Sequence, residues 1–432
     1  MKQISKNFKK RYSSRFHVLF LTQEAFSSMF TAVLRPYDVI IIGGGIIGLV
    51  TAWNLLKEYP RKSIVIMEKE AAVATHQSGV RHGLLHSGIY YVPGSQKAIS
   101  CMEGRKEMYR FCQDHGIPVN ICGKVIVATS ESELPILQET YQRGIRSGIR
   151  CELVGPSHLK EIEPHADGLA AIHVKDTAVL DYKRVCEVLS KELAMKGCYV
   201  MLNTEVQKIK EMPTETLIVT NHGRHYARYV VNCAGLHADR ISIMARKNPN
   251  IKIISFRGEF FQLREEVSSF CNAVIYPVPI PNVSPLGPHF VKGVDGTVEC
   301  GPNAVLAFAR EGYSRNIVNP KYLWEVLAFS GFWWLLADQW PTGLAEMWRT
   351  NNRNAFVKTL QRLMPEIKTD QLIKAPSTVR AQAVTHEGKL IYDLIIQESH
   401  RIVHVLNTQT PSATASFSIG KSIVSKLSKR FQ

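Results

Sequence analysis

Tyr37–Pro60 reads YDVIIIGGGIIGLVTAWNLLKEYP. Val39, Ile40, Ile41 and Ile42 are β-branched and favour a strand. A triple glycine interrupts them, and apolar residues then recur at helical spacing. Ser63–Glu68, SIVIME, is a second apolar strand. Apolar runs without polar alternation are the mark of strands buried on both faces. Strand, turn, helix and strand in this order open a doubly wound parallel sheet.

The glycines carry a pattern, Gly43-x-Gly45-x-x-Gly48. The first allows a tight turn, the second lets a pyrophosphate approach the backbone, and the third lets helix and strand pack. The helix start offers oriented N–H groups and partial positive charge to a phosphate. Glu68 closes the next strand about 20 residues on, where a carboxylate accepts from ribose hydroxyls. Downstream, Val230–Asp239, VVNCAGLHAD, runs a short strand into Ala234-Gly235. Val403–Gly420 returns a strand into a helix whose first turn, Ser412-Ala413-Thr414, is small and hydroxylated. That helix start places positive charge where a reduced flavin gathers negative charge. Together these features point to FAD in preference to NAD.

Further segments alternate. Strands are expected at Gly123–Thr129, Cys198–Leu202, Val206–Ile209, Leu217–Thr220, Tyr229–Cys233, Ile253–Leu263, Val274–Pro279 and Ile402–Leu406. Helices are expected from about Ala98 to His115, over Glu133–Ser147, and to Met195 behind an Asp181 N-cap. Lys321–Arg349 and Ala355–Met364 read as helical, and a last helix starts near Ser412. The expected fold is α/β. A doubly wound, Rossmann-like FAD-binding domain spans 37–118, 178–250 and 376–432. An interleaved α+β substrate domain with an antiparallel sheet spans 119–177 and 251–375.

The 432 residues carry a formal net charge of +16. No zinc-finger spacing, RNP signature or long basic block supports nucleic acid as the partner. Residues 1–36 hold Lys2, Lys6, Lys9, Lys10, Arg11, Arg15 and Arg35 against one acid, Glu24. Such an acid-poor amphipathic leader reads as a mitochondrial presequence, with a disordered basic tail as the alternative. The nine cysteines are scattered, none in C-x-x-C, which fits thiols used as small hydrophobes in a reducing compartment. No metal-ligand spacing stands out. Val326–Ala337, VLAFSGFWWLLA, is too short to span a bilayer. It reads as a buried helix or, through its tryptophans, as an interfacial segment.

Several stretches together resemble the L-2-hydroxyglutarate dehydrogenase family of D-amino-acid-oxidase-like FAD-dependent oxidoreductases. They are DVIIIGGGIIGL, HSGIYYVPGS with Lys97-Ala98, CGKVIVA, VVNCAGLHADRI, FRGEFFQL, IYPVP, GPNAVLAFAREGY, VRAQAVTHEGKL and HVLNTQTPSATAS. They run in order from about residue 37 to 425. The resemblance implies oxidation of L-2-hydroxyglutarate to 2-oxoglutarate with FAD. It also implies a quinone or respiratory-chain acceptor and mitochondrial, inner-membrane-associated localisation. A related flavoprotein acting on another hydroxy acid, an amino acid or glycerol 3-phosphate is a second reading. A flavin-binding homologue with impaired catalysis is a third. The chain departs from the family's pattern at Arg81-His82, at Ile280 and at Thr408–Thr410.

The resemblance also assigns a place to His76–Tyr91, HQSGVRHGLLHSGIYY, which leaves the second strand and passes the flavin. His86 is then the first candidate base for the substrate hydroxyl, and His289 the second. Arg257 and Arg380 are the candidate carboxylate clamp, since guanidinium binds carboxylates bidentately. Tyr90, Tyr276, Asn303 and Asn407 are expected hydrogen-bond partners. The expected cofactor contacts are Gly43, Gly45, Gly48, Glu68, Lys69, His76, Gln77, Gly83, Val206, Ala234, Gly235, Ser412, Ala413 and Thr414.

Overall fold

A computed structural model describes residues 36–79, 83–279, 287–408 and 411–431. The basic leader, and the departures at Arg81, His82, Ile280, Gln409 and Thr410, lie outside the described residues. Tyr37–Ile42 sits at the centre of an eight-stranded sheet, between Ile64–Met67 and Gly223–Asn232, parallel to both. Tyr199–Met201 extends one side, and Ile402–Asn407 runs parallel to the upper half of Gly223–Asn232. The antiparallel ribbon Val206–Glu211 and Thr216–Thr220 completes the other side, with Ile395–Glu398 paired to Ile402–Asn407.

The pleat explains why these strands are apolar throughout. Val39, Ile41, Ile64 and Ile66 face one core, where the helices Ile46–Glu58, Tyr182–Met195 and Ser416–Ser428 pack. Ile40, Ile42, Val65 and Met67 face a second core under the ribbon and Ala238–Met244. Alternate side chains are thus buried on opposite faces. Each fully buried aliphatic side chain stabilises by about 1.5–3 kcal/mol. The Asp181 carboxylate caps its helix, accepting from Lys183 and Arg184 N–H at 2.9 and 3.2 Å.

The second sheet has ten strands and is built around Ile251–Leu263. That strand pairs antiparallel with Val298–Leu306 on one edge, and with Leu372–Lys374 and Thr378–Thr385 on the other. The sheet is not wholly antiparallel, because Val274–Pro277 runs parallel to Lys124–Ala128. The expected boundary at residue 376 would place Thr378–Thr385 with the doubly wound segments. The strand belongs instead to this second sheet, pairing residue by residue from Ile251↔Thr385 to Gly258↔Thr378.

Three other local expectations change. Inside the glycine-rich loop, Gly83–Leu85 forms a strand against Ala178–Leu180, which also pairs with Val119–Asn120. Gly83 is needed there because a Cβ would sit 2.1 Å from the Tyr182 ring. Lys321–Arg349 is two helices, Pro320–Leu327 and Ser330–Asn351. The chain breaks at Phe329, which turns inward to pack with Ile254, Tyr322, Val326 and Leu335. The last helix starts at Ser416, behind turns that bond Ala415 N–H to Pro411 O and Ser416 N–H to Ala413 O.

The elements of the two sheets are tied by a buried ion pair. Arg310 donates to both Asp239 oxygens at 3.0–3.2 Å and to Leu236 O at 2.9 Å. Asp239 also accepts from Ile253 N–H at 3.1 Å. Breaking one partner of such a pair typically costs about 3–5 kcal/mol. VVNCAGLHAD and GPNAVLAFAREGY, distant in sequence, therefore meet through their charged residues.

Candidate active site

The parallel strands Tyr37–Ile42, Ile64–Met67, Gly223–Asn232 and Ile402–Asn407 all end on one edge. Ligands of open α/β sheets bind at the carboxyl ends of such strands. A cavity of about 1690 Å³ opens there, larger than the roughly 300–1,000 Å³ of ordinary ligand pockets. Its length runs from the glycine turn to the second sheet.

The three motif glycines serve different ends. Gly43 has φ +110°, and a Cβ there would lie 2.4 Å from Cys233 O. A Cβ at Gly48 would lie 2.1 Å from Gly43 O. Both positions serve chain packing, and Gly48 does not line the cavity. Gly45 does line it, and a Cβ there would meet only Ser78 Oγ, at 3.2 Å. What its missing side chain leaves free is cavity space, which fits the approach of a pyrophosphate.

Glu68 is buried at the end of its strand. Its carboxylate accepts from Gly44 N–H at 2.6 Å and Glu70 N–H at 2.9 Å. These bonds fix the carboxylate and leave lone pairs for ribose hydroxyls. Lys69, His76, Gln77, Gly83, Val206, Ala234 and Gly235 also line the cavity. Lys69 is bonded to Glu70 and lies 2.7 Å from Glu311, and His237 reaches Glu311 at 2.7 Å. His76 bridges Glu70 at 3.1 Å and Tyr313 OH at 2.7 Å. His237 and Lys69 hold the Glu311 carboxyl down at about 2. Gln77 accepts from Ala381 N–H at 2.9 Å, joining the loop to the strand that carries Arg380.

Ser412, Ala413 and Thr414 line the cavity at the start of the last helix. Thr414 Oγ1 accepts from His86 N–H at 3.1 Å and bonds to Leu84 O at 3.2 Å. Tyr182 OH donates to Leu84 O at 3.1 Å. The glycine-rich loop is therefore clamped to that helix by backbone contacts, independently of the His86 ring. This set fits FAD: a side-chain-free approach at Gly45, a fixed carboxylate at Glu68, and a helix start at the far end.

At the second sheet the cavity is lined by His86, Tyr90, Tyr276, His289 and Arg380. His86 and His289 are both neutral. Burial, then the nearby cations Lys124 and Arg380, push His86 down to about 3. Burial pushes His289 to about 4, with Lys124 and Arg380 adding to it. Both candidate bases therefore sit well below the near-neutral range of an ordinary imidazole. His289 Nδ1 bonds to Gly287 O at 3.1 Å, and its ring rests 4.1 Å from that of Tyr276. Burial raises Tyr90 and Tyr276, so both phenols stay protonated donors. The Tyr90 hydroxyl has no partner among the described residues. Arg380 is accessible from the cavity but ringed by protein, which lowers its pKa.

Two expected substrate contacts are not brought here. Phe256 lies opposite Arg380 in register, so Arg257 points to the other face of the sheet. It is buried there against Glu259, at 3.2 Å, which also binds Arg315 at 2.8 Å. Asn303, opposite Glu259 in register, is buried on that same side. Asn407 does line the cavity, but its amide donates to Ile391 O at 3.1 Å and Asp393 O at 2.8 Å.

One residue that sequence reasoning passes over is Lys124, first in its strand and 2% exposed. Its ammonium lies 4.6 Å from the Tyr90 ring centroid and 5.0 Å from that of Tyr276. No ion pair to it is found among the described residues. Burying an ammonium costs several kcal/mol, and each cation–π contact returns only about 0.5–2 kcal/mol. Desolvation accordingly brings Lys124 down to about 7. CGKVIVA reads as a strand, and nothing in it marks the lysine as the inward-facing residue.

Residues 38–426 match the family described as FAD dependent oxidoreductase. The chain is 41% identical over 397 residues to the L-2-hydroxyglutarate dehydrogenase of Indibacter alkaliphilus, covering 91% of this chain and 100% of that one. It is 37% identical over 415 residues to the mitochondrial L-2-hydroxyglutarate dehydrogenase of Nematostella vectensis, with 91% of each chain covered. The solved structure of dithionite-reduced L-alpha-glycerophosphate oxidase from Mycoplasma pneumoniae with FAD bound matches at TM-score 0.73. That match has 20% identity and covers 91% of this chain and 95% of the other, a likeness of fold.

Proposed function

The chain belongs to the FAD-dependent oxidoreductases and, among them, to the L-2-hydroxyglutarate dehydrogenase family, and from that membership we propose that its cavity oxidises L-2-hydroxyglutarate to 2-oxoglutarate. The observation that carries this reading is the far end of the cavity. Two neutral imidazoles and two protonated phenols line that end together with Arg380. FAD is the cofactor; when bound it supplies the acceptor for the hydride from C2. The remaining chemistry falls to the chain. Arg380 holds a carboxylate, Tyr90 and Tyr276 donate hydrogen bonds, and His86, with His289 as the alternative, accepts the hydroxyl proton.

Stopped-flow mixing tests this reading. L-2-hydroxyglutarate is expected to bleach the visible flavin absorbance of the purified protein within single turnover. Bleaching by glycerol 3-phosphate or an amino acid but not by L-2-hydroxyglutarate would move the substrate to another class. Bleaching by no donor would leave a flavin-binding homologue without this catalysis.

Electrons are proposed to pass to a quinone-type respiratory acceptor at the mitochondrial inner membrane. The helices Pro320–Leu327 and Ser330–Asn351 support membrane contact. Trp324, Trp334 and Trp348 are 72%, 64% and 65% exposed, beside exposed Leu327 and Leu336. Trp334 and Trp348 are about four helical turns apart, hence on one stripe. Tryptophans on a solvent face suit the headgroup boundary, and the net charge of +16 suits anionic lipid. The side chain of Trp340, on the same helix, lies outside those described. No described helix is long and apolar enough to cross a membrane. The basic, acid-poor residues 1–36 support mitochondrial import.

Replacing Trp324, Trp334 and Trp348 with serine is expected to release the protein from vesicles of phosphatidylcholine with an anionic lipid. Flavin reduction by a soluble donor should stay at the wild-type rate. A variant that cosediments with vesicles as wild type does would remove this face from the membrane proposal.

A further inference from the structure

We infer that Lys124 is the second cation of the substrate site: from behind the Tyr90 and Tyr276 rings its ammonium supplies the charge that the second carboxylate of a dicarboxylate requires, and so selects dianions over monoanions. The inference rests on the hydroxy-acid reading proposed above and deepens it. A second positive charge favours a dicarboxylate, and pleat geometry leaves only Arg380 of the expected arginine pair in the cavity. Arg143 and Lys97 also line it, but Arg143 is paired with Glu139 at 2.6 Å and Lys97 lies 3.7 Å from Asp393. Lys124 is a buried lysine without an ion-pair partner among the described residues, and lysines are almost never fully buried unless paired. Its ammonium faces the rings of Tyr90 and Tyr276, both of which line the cavity.

The groups around it explain why the charge is left over. The helix Gln96–Asp114 presents Cys101, whose thiol burial pushes up to about 12 and so keeps uncharged. The loop contributes His86 and Tyr90, and neighbouring strands contribute Tyr276 and His289. All of these are neutral, and Arg380 is a like charge. The buried ammonium therefore has no anion until substrate arrives. Lys124 acts across the tyrosine rings, so it is a positioning and specificity residue and not a catalytic one.

A proton linkage follows. With its folded pKa near 7, Lys124 is largely neutral in the free protein at pH 8. A bound carboxylate favours its charged form. Binding of a dianion should then take up about 0.4–0.9 proton at pH 8, for a shift of about one to three units, and almost none at pH 6. Dianion affinity should weaken with rising pH above about 7. An opposite charge that shifts a pKa by about one to three units is coupled to binding by roughly ten- to thousandfold.

The test uses the FAD-loaded protein with 2-oxoglutarate and the monoanion 2-oxobutanoate, binding followed by flavin absorbance and by calorimetry in buffers of different ionisation heat. Wild type is expected to prefer 2-oxoglutarate and to take up a proton on binding it at pH 8. Lys124→Met should lose at least tenfold of that preference, lose the proton uptake and lose the pH slope. Its thermal midpoint should not fall, since an unpaired buried charge is removed. Lys124→Arg should restore the preference without the proton uptake. Wild type that binds 2-oxoglutarate without proton uptake overturns the assignment, whatever the variants do. So does a Lys124→Met protein with wild-type preference. Wild type that binds neither acid overturns the hydroxy-acid reading and this inference with it.

Discussion

Gly45→Val protein is expected to purify colourless. The backbone at Gly45 is extended (φ −78°, ψ 175°), so valine meets no conformational strain there. A Cβ would touch only Ser78 Oγ, and the γ-methyls would project into the cavity. The fold should therefore survive while the pyrophosphate loses its approach. Two measurements check this. The absorbance ratio of flavin to protein should fall to background. Added FAD should also fail to raise the thermal midpoint, whereas it should stabilise wild type by about 2.7 kcal/mol at a hundred times its Kd. Gly48→Val is the contrast: its Cβ falls 2.1 Å from Gly43 O, so it should fail as a folding defect. Stoichiometric yellow flavin in Gly45→Val would sink the assignment of this turn to the cofactor.

That contrast shows how unevenly the sequence speaks. The parallel strands are legible because burial on both faces writes an unbroken apolar run, as in Val39–Ile42. The Asp181 cap is legible because capping is local chemistry. Pleat phase is different. Arg257 and Arg380 both sit in recognisable strands, but which face of the second sheet meets the cavity depends on packing far along the chain. Lys124 escapes notice for the same reason, since a lysine at a strand start is ordinarily solvated. Thr378–Thr385 is misplaced by sequence because proximity to Ile402–Asn407 says nothing about which sheet completes its hydrogen bonds. The break at Phe329 hides in an apolar run because its cause is a tertiary pocket.

His86→Ala protein should keep its FAD and lose most of its flavin reduction. The loop is held by His86 N–H on Thr414 and by Leu84 O, both backbone contacts that alanine preserves. The lost ring is the candidate acceptor of the hydroxyl proton, so reduction by L-2-hydroxyglutarate should slow by about 10²–10⁴-fold. The pH dependence sharpens the test. The free protein holds His86 at about 3, so the imidazole is already neutral across pH 5–9 and cannot write an acid limb near 6.5. The profile of kcat/KM reports groups of the free enzyme. Its limb should instead be the fall above about pH 7 as Lys124 loses its proton. A base held that low is weak. Burial, the larger cause, persists in the complex, but two carboxylates arriving beside Lys124 and Arg380 offset the part of the depression those cations cause and so shift the His86 pKa upward where the proton must move. His86→Ala should therefore lower the rate of reduction at saturating substrate while leaving the Lys124 limb in place. If His86→Ala reduces at the wild-type rate and His289→Ala does not, the acceptor is His289, whose pKa is also depressed, to about 4, by burial and the same two cations.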